Sequence, residues 1–184
     1  MTSPSIFLIE AGMNPKLSFI FQRRSIRAYE RRPVPEEAVR DLLEAAMAAP
    51  SAAAKDPWCW VVVRKREMLA RIAEGLPNGK MLPDADVGIV ACGDLRLAHD
   101  GQLSYLLQDV SAAIQNLLLA ASGLGIGTCW LGVHPREDRI AHVRNLLGIP
   151  VEVVPVAVIA VGWPGEEKEP RTRYLESRVH REKW

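Results

Sequence analysis

A chain of 184 residues can bury roughly 70% of its unfolded surface in one domain and is too short for two domains of ordinary size. Its 23 lysines and arginines nearly cancel its 22 aspartates and glutamates. That balance excludes a chain-wide basic footprint for nucleic acid or an anionic membrane, so any anion site has to be local. Three cysteines, Cys59, Cys92 and Cys129, each lie in an apolar run and at no zinc or redox spacing, so they read as reduced core residues of a cytoplasmic protein.

Residues 1–13 show no clear period and form an N-terminal extension, in which Ile6-Phe7-Leu8-Ile9 is too short for a signal segment and is followed by Glu10. Asn14-Pro15 opens a helix, with Asn as cap and Pro in the first turn. Leu17, Ile20 and Phe21 give it an apolar stripe until Arg23 and Arg24 end it. Pro35-Glu36-Glu37 starts a second helix whose Val39, Leu42, Leu43, Ala46 and Met47 repeat at helical spacing up to Pro50. Trp58 to Val63 is rich in β formers and reads as a strand buried on both faces. Glu67 to Glu74 is a short helix closed by Gly75, and Asn78-Gly79-Lys80 is a turn. Val87 to Gly93 is a second buried strand ending at Asp94, and the stretch to about Gln102 is a loop or lid.

Leu103 to Gly123 carries the longest helical pattern, with apolar residues on nearly every face. Such a helix has to be covered all round. The reading adopted is that one side meets the sheet and the other a second subunit; the alternative is a central helix in a monomer. Thr128 to Val133 is a third strand, Pro135 to Leu147 a helix ended by Gly148, and Val153 to Val161 a fourth strand, too short to span a bilayer as a helix. From Pro164 onward the chain turns polar and charged. This divides it into an extension (1–13), a core (14–164) and a tail (165–184) that wraps a partner. Strands separated by helices place the sheet in the middle layer of a sandwich. The Gly123-Leu124-Gly125-Ile126-Gly127 run follows a helix and precedes a strand, the wrong order for a dinucleotide-binding fingerprint.

The chemistry is narrowed by what is missing. There is no G-x-S-x-G, the four histidines have no evident serine or cysteine partner, and His134 and His142 read as surface or capping residues rather than metal ligands. Arg23-Arg24-Ser25-Ile26-Arg27, by contrast, sets three guanidinium groups and a hydroxyl within five residues, a combination that grips phosphate; the other reading is a solvated basic turn. Phosphate-gripping arginines beside glycine-rich backbone, with no acid–base constellation, suit a chain that holds a redox cofactor and lets it do the chemistry.

From about Asn14 onward the chain resembles the small FMN-dependent nitroreductases, in the Arg23–Arg27 stretch, in Ala49-Pro50-Ser51 with Pro57-Trp58, in Gly125 to Gly132 and in Pro170-Arg171-Thr172-Arg173. The resemblance implies an α+β three-layer sandwich with a central mixed sheet flanked by helices, built as an interlocked homodimer. It implies that Arg23, Arg24, Ser25 and Arg27 hold the FMN phosphate and that Arg171 and Arg173 close over it. Lys80 and Asn78 would lie by the pyrimidine side of the flavin, and the backbone of Leu131 and Gly132 would face N5 and O4. Pro50 and Ser51 would reach the flavin from the other subunit. The implied activity is ping-pong hydride transfer from NAD(P)H through FMN to a nitroaromatic, quinone or related small acceptor, with no catalytic side chain and no metal. The alternative is a flavin-sequestering protein of the same fold. Where the family commonly has asparagine and glutamine in the loop after Ser51, this chain has Ala54 and Asp56.

Overall fold

The computed structural model describes residues 14–184; the reading of residues 1–13 as an extension lies outside them. Asn14 caps the first turn through its side chain, which accepts from the Lys16 N–H at 3.0 Å, and helix α1 (Ser18–Gln22) runs into Arg23 as expected. Then follow α2 (Glu36–Met47), β1 (Trp58–Val63), α3 (Arg66–Glu74), β2 (Val87–Asp94), α4 (Leu103–Gly123), β3 (Gly127–Gly132), α5 (Glu137–Leu147) and β4 (Val153–Gly162). Gly148 ends α5 in the left-handed region, φ 65°, where a glycine is unstrained.

The four strands lie in the order β1-β2-β4-β3, and every neighbouring pair is antiparallel. The expectation of a mixed sheet therefore needs correcting for this chain: among the described residues parallel pairing enters only at one bridge, Ser25 to Thr128. Pro155, which has no N–H to give a ladder, sits where the β2–β4 register shifts between Ala91 and Cys92. Side chains alternate across the sheet and feed two cores. Ile89, Ala91, Ala157 and Ile159 pack with α2 and α4, while Val90, Cys92, Val158 and Ala160 pack with α3 and α5. This is the three-layer sandwich.

β2 and β4 are buried along their whole length because each has a strand on both sides and helices on both faces. β1 is not, contrary to expectation: it is an edge strand, Trp58 to Val61 are half-buried, and Val62 is exposed. Helix α4 settles Leu106, Ile114 and Leu117 into the first core at 0% exposure, each worth about 1.5–3 kcal/mol of burial. Leu103 and Tyr105 remain exposed on its other side. Among the described residues no helix is long and apolar enough to cross a membrane.

Candidate functional site

The arginine stretch is pinned to β3 by backbone and packing. The Ile26 N–H donates to the Thr128 carbonyl at 2.9 Å, and Ile26 lies where a Cβ on Gly127 would be, at 2.9–3.2 Å. Only a glycine at 127 admits this approach. The residues after β4 then fold back along the same stretch. Glu30 N–H donates to Trp163 O at 2.9 Å, Gly165 N–H to Ala28 O at 2.8 Å, and Arg171 N–H to Phe21 O at 2.9 Å. Between these points a side-chain strap closes. The Glu166 carboxylate accepts from the Arg27 N–H at 2.5 Å and from Lys168 Nζ at 2.9 Å, and Lys168 Nζ also donates to Ser25 O at 2.8 Å. The Lys168 ammonium, with the Arg27 N–H, holds the Glu166 carboxyl below the usual carboxylate range.

Three cavities border this stretch: besides one of about 390 Å³ between Arg23, Arg24, Thr128 and the strap residues Glu166 and Lys168, two more gather the expected site residues. One, of about 570 Å³, is lined by Arg27, Asn78, Lys80, Leu131 and Gly132, together with Cys129, Trp130 and Arg139. A Cβ built on Gly132 would meet nothing within 4 Å, and its φ lies outside the left-handed region. Neither packing nor backbone angle demands glycine there. Gly132 is exposed and lines the cavity, and without a side chain it lets a flat ligand lie close to the backbone. Arg139 Nη1 donates to the Gly132 carbonyl at 2.9 Å. Burial pushes the Cys129 thiol up, as it does Cys59, and carries Cys92 to about 12, so none is a ready thiolate nucleophile at neutral pH.

The second cavity, of about 320 Å³, is lined by Arg23, Arg24, Arg171 and Arg173 with Ile20, Phe21 and Gln115. The Arg24 guanidinium also donates to the Glu169 carbonyl, tying this cluster to the strap. The expected site residues are thus divided. Arg27, expected with the phosphate arginines, lines the first cavity beside Lys80, whereas Arg23, Arg24, Arg171 and Arg173 do come together in the second. Ser25 lines neither of these cavities, and its carbonyl is taken by Lys168.

Pro50 and Ser51 also line neither. They begin a loop in which Ala53, Ala54 and Asp56 all have φ near +50°. The loop is held at its base by Asp109, a buried carboxylate on α4 whose Oδ1 accepts from the Ala52 N–H at 2.9 Å. The Ser51 hydroxyl donates to Asp56 at 2.5 Å and accepts from the Asp56 N–H at 2.9 Å. Asp56 therefore ties off a turn within its own loop. That is the behaviour of an aspartate before proline.

Sequence reasoning passed over Glu166, Lys168, Asp109 and Arg139. The first two lie in Glu166-Glu167-Lys168-Glu169, which reads as a solvated charge run, although Pro164 and Pro170 bracket it. Asp109 carried a usable signal, as the one charged residue of α4. Arg139 carried none, since a basic residue in the first turns of α5 looks like any surface arginine.

Comparison with known proteins agrees with the fold. The model of the nitroreductase family matches residues 20–80 and 74–163. An Archaeoglobus fulgidus protein, provisionally named NADH dehydrogenase/NAD(P)H nitroreductase, is 46% identical over 175 residues, covering 94% of this chain and 100% of its own. A crystal structure from Parabacteroides distasonis with the same provisional name superimposes with a TM-score of 0.87 at 40% identity, over 94% of this chain and 100% of its own. A Desulfovibrio desulfuricans protein, provisionally a nitroreductase and solved in complex with FMN, gives 0.80 at 32% identity over 94% and 99%.

Proposed function

This chain belongs to the nitroreductase family, and from that premise we propose that it is an FMN-dependent oxidoreductase that takes electrons from NAD(P)H and passes them to a nitroaromatic, quinone or related small acceptor. The observation that carries the reading is the first cavity, where Arg27, Asn78, Lys80, Leu131 and Gly132 converge around the open space over Gly132. FMN supplies the two-electron chemistry when bound.

The residues present fit that group. Gly132 lines the cavity with no side chain to stand in the way of a flat ring. Arg27, Lys80 and Arg139 surround the cavity with positive charge, which favours a ring that gains negative charge on reduction. Arg23, Arg24, Arg171 and Arg173 supply the forked donors that a ribityl phosphate needs. Among the described residues, the side chains lining the ring cavity include cations, amide and thiol but no carboxylate or imidazole. The reading needs no carboxylate or imidazole acid, because acceptor and solvent supply protons.

We also place Pro50 and Ser51 against the flavin of a second copy. Support comes from the exposed apolar residues Phe19, Leu103, Tyr105, Tyr174, Leu175 and Val179, and from a tail that is exposed from Arg171 to Trp184. A homodimer of this kind sediments at twice the chain mass at micromolar concentration; a stable monomer there contradicts it.

The functional test is anaerobic mixing of the FMN-loaded protein with NADH or NADPH. The expected result is bleaching of the flavin absorbance by at least one of them and its return on adding a quinone. A flavin that binds but is bleached by neither supports sequestration and overturns the enzyme reading.

A further inference from the structure

Around the ring cavity stand three cationic side chains, and two of them, Arg27 and Lys80, reach it from a segment and a turn at its rim. The third, Arg139, is different in kind. It projects from α5, whose Ile140 and Val143 are buried in the core, so its backbone is fixed. Its Nη1 donates to the Gly132 carbonyl at 2.9 Å. Its Nε is buried and has no partner among the described residues. A buried donor left unpaired is costly, so the Nη1 bond to Gly132 is what anchors the side chain.

The placement matters because Gly132 is the last residue of β3. The Val133 N–H, which shares a peptide group with the Gly132 carbonyl, donates to Val156 O at 3.1 Å, as does the His134 N–H, so that peptide is already held at its nitrogen end. With its carbonyl held by the Arg139 guanidinium and its N–H by Val156 O, the Gly132–Val133 peptide is clamped at both ends before any ligand arrives. Charge acts in the same direction, since a guanidinium stays protonated throughout the working pH range.

We propose that Arg139 is a positioning residue of the ring cavity. It fixes the Gly132 peptide against the isoalloxazine and, as a permanent cation beside it, tunes the bound flavin toward easier reduction. This rests on the reading of the cavity as the flavin site and adds to it a residue that acts through Gly132 and through its charge.

The test compares the FMN-loaded full-length protein with Arg139→Ala, Arg139→Gln and Arg139→Lys, measuring the FMN dissociation constant and the flavin reduction potential. Arg139→Ala should weaken FMN about tenfold and lower the potential by about 30 mV, the equivalent of tenfold for a two-electron couple. Arg139→Lys keeps the charge and should hold the potential near wild type. Arg139→Gln keeps a donor for Gly132 and should recover affinity while leaving the potential low. A loss of thermal stability in Arg139→Ala with unchanged affinity and potential would make the residue structural and overturn the proposal. Should Arg139→Ala fail to fold, equal potentials in the Gln and Lys variants overturn it. If the wild type binds no FMN, the flavin reading itself fails, and that outcome is separate from the others.

Discussion

The two cation clusters of this molecule are built on opposite foundations. The ring cavity is lined from β3, whose Cys129 and Leu131 are 2% and 4% exposed, and from the turn after α3, anchored by buried Leu76 and Met81. The arginine cavity draws Arg171 and Arg173 from a tail with no buried residue, held by the Arg171–Phe21 backbone bond and by the Glu166–Lys168 strap behind it. One cluster is preorganised by the core. The other depends on a few polar contacts in series.

That difference separates the roles of the arginines. Riboflavin has the flavin ring without the phosphate, so it reports the ring cavity alone. Each charge-assisted contact to phosphate is worth about 1.5–3 kcal/mol, so replacing Arg171 and Arg173 together with alanine should weaken FMN about a hundredfold or more. Riboflavin affinity should barely change. Arg27→Ala should weaken FMN and riboflavin by similar factors, since Arg27 lines the ring cavity; selective loss of FMN would return it to the phosphate cluster.

The strap gives a smaller effect with a defined pH sense. Glu166 has its pKa depressed in the folded chain, chiefly by the hydrogen bond from Lys168. Its contribution is therefore fully present above the ordinary glutamate value of about 4.3 and is lost as the pH falls through the lower folded value. With both side chains partly exposed, the contribution is modest. Glu166→Gln should lower Tm at pH 7, and the gap to wild type should close on acidification below about pH 4. A gap that widens in acid would contradict the sign.

A large part of this architecture is legible in the sequence, and the reasons for the rest are physical. Helix α4 keeps its expected limits because its apolar period runs from Leu103 to Gly123 without a break. β1 is placed correctly, but its burial is not, because strand order is a long-range property and Trp58-Cys59-Trp60 reads the same at an edge as at the centre. The clustering of Arg23 and Arg24 with Arg171 and Arg173 follows from the family resemblance. The division that puts Arg27 with Lys80 depends on which side of the strap each side chain leaves, and sequence spacing does not encode that.

The loop after Pro50 is where local sequence and local backbone disagree most. Each non-glycine residue in the left-handed region costs about 1–2 kcal/mol, and asparagine tolerates it better than alanine. Ala54→Asn should accordingly stabilise the chain by up to about 1 kcal/mol, about 2–4 °C in Tm. Asp56→Gln should leave the flavin potential unchanged, because the carboxylate is engaged by Ser51. A shifted potential would place Asp56 at the ring instead.

The most direct measurement is FMN titration of Gly132→Ala beside the wild type, with thermal unfolding of both without flavin. A Cβ at this position meets no atom within 4 Å and no left-handed φ opposes it, so the unfolding midpoint should stay within about 2 °C, the shift expected for less than 0.5 kcal/mol. The same side chain occupies the space assigned to the flavin ring, and FMN affinity should fall at least tenfold. An unchanged dissociation constant in a normally folded variant would mean that the ring does not lie against Gly132.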